Sequence, residues 1–207
     1  MERESFLSHQ IWNFPVIYQK PELPTGCEIT ALTMLLRFYG YPVSKTVMAA
    51  SFLPQTGYVV RIGENGKKYG PDLNACFVGN PFGKGTVCGA AALVAAANRY
   101  LLSCGSSLWA KNITGSLPLE LYSRVDRNQP VVVMATIGMK DRRPAEGWYT
   151  AAGKYVDWST NDHGVVLIGW SNAAVSIACP ICGIRRYSRM QFEKVFADRG
   201  RMAMVIE

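Results

Sequence analysis

Two residues in this chain could carry covalent chemistry between them. Cys27 stands in "PTGCEITALTMLLRFYG" (24–40), where a Pro-Thr-Gly turn leads into an apolar, helix-forming run. A helix N-terminus presents unpaired N–H groups and partial positive charge, and both favour the thiolate, the form in which cysteine is a nucleophile. Packing as a small apolar side chain accounts for the same residue, so position alone leaves both readings open. A cysteine that attacks a carbonyl needs an imidazole beside it, and the chain has two histidines, His9 and His163. His9 falls in a polar opening segment expected to be loose. His163 opens "HGVVLIGW" and is expected at a strand end with its ring turned outward into a cleft. A histidine satisfied locally at the strand end is the competing account.

The elements that must bring these residues together can be read from periodicity. Phe14–Tyr18 reads as a short strand, followed by a loop with two prolines. From Cys27, the apolar positions Ile29, Leu32, Leu35, Leu36 and Phe38 keep helical spacing, and Gly40 and Pro42 end the helix. Residues 51–85 are rich in Gly, Pro and Asn, which predicts irregular structure or a hairpin with turns at Asn65-Gly66 and around Pro81. "GAAALVAAANRYLLSCG" predicts a second helix and "LPLELYSRVDRNQ" a third. Four β-branched, apolar runs follow, at 130–138, 154–159, 163–170 and 173–180, and predict an antiparallel sheet. A last helix with Ser188 as N-cap and Gly200 as its stop precedes the closing strand "RMAMVI". Helices first and strands later is an α+β arrangement, expected as one domain over residues 1–207.

Composition limits the alternatives. Hydrophobic residues make up 49% and charged residues 18%, enough apolar surface for a packed core. The net charge of +7 comes from Lys and Arg scattered along the chain, with no run longer than a pair. With no aromatic-basic motif among them, a nucleic-acid partner is not expected. Met1–Ser5 is polar and leads into no signal-peptide apolar run, and no segment has the ~18 to 20 apolar residues of a membrane span.

Taken together, "YQKPELPTGCEITALTMLLRFYG", "TVCGAAALVAAANRYL", "QPVVVMATIGM" and "NDHGVVLIGW", the last followed by a strand and a Cys-Pro corner, resemble the C39-like branch of the papain-like cysteine peptidases. The resemblance runs from about residue 14 to the last strand. It implies a papain-like fold, with a helical N-terminal lobe packed on a C-terminal antiparallel sheet, and no cofactor. It also implies Cys27 as nucleophile, His163 as general base and acid, and Gln19 as the side-chain donor of an oxyanion hole. The implied activity is cleavage of a peptide or amide bond through an acyl-enzyme. Acyl transfer to an amine would use the same residues, and relatives of this kind are commonly exported or held at the cell envelope.

One position departs from the pattern. Where these peptidases place the Asp that holds the histidine, the chain reads "IACPICG", with Cys179 at that point. A neutral thiol cannot orient an imidazolium as a carboxylate does. Either Asp162, Asp157 or Asn172 substitutes, or activity is reduced, or the domain is a catalytically silent binding module. Cys179 and Cys182 form a C-x-x-C pair and Cys76 and Cys88 bracket the Gly/Pro-rich loop, but the second spacing lacks a zinc knuckle, so no metal site is expected and disulfides or plain thiols are. Cys104, at a helix end, is expected in the core. Trp148, Tyr149, Tyr155 and Trp158 are expected to pack the sheet, with Trp158 a candidate shield over the histidine. Substrate identity and oligomeric state are not readable from the chain.

Overall fold

The computed structural model describes residues 8–207. The polar opening Met1–Ser5, read above for its lack of an export signal, lies outside the described residues. In chain order, β1 (Ser8–Gln10) precedes α1 (Cys27–Phe38) and α2 (Lys45–Val47), which runs on as a π-helical turn, Met48–Phe52. The Gly/Pro-rich excursion holds β2 (Gln55–Thr56), β3 (Arg61–Ile62), β4 (Lys68–Tyr69) and β5 (Phe77–Val78). Then come α3 (Ala90–Ser103), β6 (Ala110–Asn112), α4 (Pro118–Asp126), β7 (Val131–Thr136), β8 (Trp148–Tyr149) and β9 (Tyr155–Val156). The chain closes with β10 (Asp162–Ser171), β11 (Ala174–Cys179), β12 (Gly183–Ser188), α5 (Arg189–Asp198) and β13 (Ala203–Ile206).

The main sheet is antiparallel, in the order β12-β11-β10-β7-β13-β6. β1 pairs the outer end of β10, on the edge where β7 stops. Every residue of β7 is buried, and so is β10 up to its last residue. These are the continuous apolar runs "VVVMAT" and "VVLI", and burial at successive positions means that helices cover both faces of the sheet. Among the described residues no helix is long and apolar enough to cross a membrane.

α1 is the central helix. Its residues Cys27 to Leu36 are all buried, including Glu28, Thr30 and Thr33, and the two threonines satisfy their hydroxyls on the Gly26 and Ile29 carbonyls at 2.7 Å each. Such i−4 bonding lets polar side chains sit inside a helix that is apolar all round. The helix ends at Tyr39, and Gly40 takes φ +88°, a conformation glycine adopts without Cβ strain. α1 lies against β10 and β7. At Gly164 of β10 an added Cβ would come 2.6 Å from Glu28 Cα, so only glycine allows this approach.

Several sequence expectations are corrected. Phe14–Tyr18 pairs with no strand; the N-terminal strand is Ser8–Gln10, and its partner is the end of β10. His9 is accordingly held, opposite Trp170 and with Nε2 3.0 Å from Asn128 Oδ1. The run 154–159 lies outside the main sheet: only Tyr155–Val156 is strand, paired to β8 in the small sheet β3-β4-β8-β9. There Trp148 is buried with Leu73, Val78, Val87 and Val156 in a second, smaller core, its indole N–H donating to the Pro71 carbonyl at 2.7 Å. The aromatic cluster thus packs this satellite rather than the main sheet. β12 was not anticipated, because "GIRRYS" presents mostly exposed, polar side chains. Cys104 is exposed at the C-cap of α3 instead of lying in the core.

Candidate active site

The N-terminus of α1 and the first residues of β10 meet at a cleft of about 150 Å3. Cys27, His163, Gln19 and Trp158 all line it. Cavities of 320 and 750 Å3 elsewhere contain neither Cys27 nor His163, so size is not what marks this place. Cys27 is the first residue of α1, and Gly26 caps the helix with no side-chain hydrogen bond, so the N-cap residue itself supplies no oxygen to the first N–H groups. Only 7% of Cys27 is exposed. Burial, more than any neighbour, pushes its thiol well above the ordinary range, and the Glu28 carboxylate pushes the same way; the Gly164 N–H opposes both.

His163 sits second on β10, opposite Ala135 of β7, and is 2% exposed. Its Nε2 lies 3.3 Å from Cys179 Sγ. Its Nδ1 is buried and has no hydrogen-bond partner. With no carboxylate against the ring, burial alone drives the imidazole down to about 4. Cys179, at the end of β11, is held up at about 11 by burial and by Cys182, so it stays a neutral thiol behind the ring.

The other candidate orienters are engaged elsewhere. Asp162 neighbours His163 in sequence, but its Oδ2 accepts from the Ser159 N–H at 2.8 Å and from Arg199 at 2.9 Å in a buried ion pair. Burial, the larger effect on both partners, raises Asp162 and lowers Arg199, and their mutual attraction offsets it only in part. Asp157 is exposed and bound by both guanidinium N–H groups of Arg142, at 2.6 and 2.9 Å. Asn172 is corrected outright. It occupies the exposed turn between β10 and β11, at the opposite end of β10 from His163, ~30 Å of strand away.

Gln19 is tied to the same corner, its backbone N–H donating to the Pro180 carbonyl at 2.8 Å. Its side-chain Nε2 donates to the Leu23 and Pro24 carbonyls at 3.2 and 2.9 Å, while Oε1 is buried without a partner. Both amide hydrogens are thus engaged, and an oxyanion would have to displace one of these carbonyls. Trp158 is half-buried at the cleft and donates from Nε1 to the Glu146 carbonyl at 3.1 Å.

Glu28 was missed from sequence. It is 1% exposed, and its Oε2 accepts a hydrogen bond from Cys27 Sγ at 3.1 Å. An acidic residue directly after a candidate nucleophile, inside an otherwise apolar helix, was the available signal. Arg199 as the partner of Asp162 gave no such signal, because the two lie 37 positions apart. All six cysteines are free thiols, and among the described residues no cluster of three or more metal-ligating side chains forms.

Residues 11–204 match the model of the Peptidase_C39 like family. The uncharacterized protein YvpB of Bacillus subtilis (strain 168) is 28% identical over 189 residues, 90% of this chain and 71% of that protein. A crystal structure described as a candidate C39-like peptidase from Bacillus anthracis superposes with a TM-score of 0.82 at 28% identity, over 97% of this chain and 98% of that one. The peptidase domain of Streptococcus ComA, a bi-functional ABC transporter involved in a quorum-sensing pathway, shares the fold at 14% identity with a TM-score of 0.52, over 94% and 96% of the two chains.

Proposed function

We propose, for a chain that belongs to the Peptidase_C39 like family, that Cys27 attacks a peptide or amide carbonyl and forms an acyl-enzyme. His163 is the proton carrier for the leaving nitrogen and for the water of deacylation. The observation that carries this reading is the shared cleft: a thiol at the N-terminus of α1 and an imidazole with an unpartnered nitrogen line one small cavity with Gln19. The oxyanion formed on attack would lie near the first N–H groups of α1, and the Gln19 amide would serve by exchanging the Pro24 carbonyl for it. Removal of one such donor typically costs on the order of 10²- to 10³-fold in rate.

The test is acylation by p-nitrophenyl acetate. A burst of nitrophenolate stoichiometric with protein, and an acetyl group mapped by mass spectrometry to Cys27, are expected. Cys27→Ala should abolish the burst, and His163→Ala should slow turnover by ~10²-fold or more. Even acetylation of several cysteines without turnover would leave a binding domain as the better account.

A further inference from the structure

Resting on that reading of Cys27, we propose that the Glu28 carboxylate is the base that takes the thiol proton, a catalytic role distinct from that of His163. The geometry favours it. The sulfur hydrogen-bonds to Glu28 Oε2 at 3.1 Å and makes no hydrogen bond to His163. The second oxygen, Oε1, is buried with no hydrogen-bond partner, and among the described residues no cation pairs with the carboxylate. A buried carboxylate without a paired cation costs stability, and a chain that keeps one against a nucleophilic sulfur needs a reason to do so.

The protonation balance agrees. Burial raises Glu28 to about 7, against the hydrogen bonds it accepts from Cys27 and from the Cys88 and Glu28 backbone. His163 lies at about 4. Glu28 is therefore the stronger base of the two, and at neutral pH it is in part ionised and able to accept. The other ionisable groups that bear on it are the Cys88 thiol, at the approach to α3, Asp162 on β10, and Arg199 after α5. Asp162 and Arg199 neutralise each other at 2.9 Å, so the net field on Glu28 from that side is small.

As the Sγ–carbon bond forms, the S–H proton moves to Oε2 and the carbonyl π pair moves to oxygen. When the carbon–nitrogen bond breaks, its electron pair stays on nitrogen and the nitrogen takes the proton that Glu28 received, relayed over the neutral imidazole of His163, so that carboxylate and imidazole both return to their starting states. Glu28 also repels a thiolate, so a merely electrostatic neighbour would act in the opposite direction: its ionisation would slow the sulfur. The sign of the pH dependence separates the two roles.

The probe is iodoacetamide, with the alkylation rate of Cys27 followed by mass spectrometry from pH 5 to 9 in the full chain. The rate is expected to rise through an inflection near pH 7. In Glu28→Gln the inflection should vanish and the rate at pH 7.5 fall by ~10²-fold, with Glu28→Asp recovering part of it. The inflection should survive His163→Ala. If Glu28→Gln alkylates as fast as wild type or faster at pH 7.5, or if the inflection follows His163 instead, the proposal is overturned, while the acylation test above still decides whether Cys27 is a nucleophile. Circular dichroism on the near-isosteric Gln variant guards against misfolding, and a folded Gln variant makes either outcome decisive.

Discussion

A thiol stands 3.3 Å behind His163 where a carboxylate would hold the ring. A carboxylate there would fix the tautomer and stabilise the imidazolium that the proposed mechanism forms, whereas a thiol held at about 11 contributes no charge at neutral pH. The Cys179→Asp substitution supplies the missing charge at the same Cβ. Its expected effect is a rise of the His163 titration from about 4 by ~2 pH units or more, read by NMR of the two histidine rings with His9→Gln to assign them. The steady-state release of nitrophenolate that follows the burst, set by deacylation, should quicken with it by ~10-fold or more. An unchanged His163 titration would mean that the introduced carboxylate does not reach Nε2. By contrast Asp162 cannot be recruited for this purpose, because it serves Arg199. Arg199→Ala would leave a buried carboxylate unpaired and should cost ~3–5 kcal/mol in urea denaturation.

The cleft exists because α1 and β10 touch without an intervening side chain at Gly164. Gly164→Ala would place a methyl 2.6 Å from Glu28 Cα, against backbone that cannot swing aside. A loss of ~1–3 kcal/mol in urea denaturation is expected, together with slower Cys27 alkylation as the helix N-terminus is pushed from the strand. The two elements that make this contact were also the most readable ones. Helical spacing from Ile29 to Phe38 is a periodic trace of a regular element, and the β-branched run after His163 is the continuous apolar run of a strand buried on both faces. What left no trace was pairing. Gly183–Ser188 carries exposed arginines and joins the sheet through its backbone, so its side chains do not announce a strand. Tyr155–Val156 looks like its neighbours in the sequence yet pairs in another sheet, since partner choice depends on where the excursion folds. In the site, Cys27, Gln19, Trp158 and His163 are legible in the sequence and line the same cleft. The resemblance already put Cys179 behind His163; that Asp162, Asp157 and Asn172 do not replace it followed only from the three-dimensional arrangement, which ties the two carboxylates to arginines and leaves Asn172 at the far end of β10.

Stability of the whole chain should reveal two buried titrations of opposite sign. Glu28 rises from an ordinary 4.5 to about 7 on folding, so the native state binds more protons than the unfolded chain between those values, and this group's contribution is present at low pH and lost as pH rises through the window. His163 falls from 6.5 to about 4, so its contribution is present above 6.5 and lost as pH falls toward 4. Each shift is worth about 3 kcal/mol at most, and between pH 4.5 and 6.5 the two slopes nearly cancel. The wild-type protein should therefore hide both, and single variants should expose them. In urea denaturation, Glu28→Gln should gain stability relative to wild type by up to about 3 kcal/mol as pH rises from 4.5 to 7, and His163→Gln should gain relative to wild type by a similar amount as pH falls from 6.5 to 4. Because each comparison is a difference against wild type, titration of the surface carboxylates drops out. A Glu28→Gln difference that stays flat across this range would mean that the carboxylate keeps its ordinary affinity for the proton in the folded chain, and with it would go one of the supports for the proposal of Glu28 over His163 as the base.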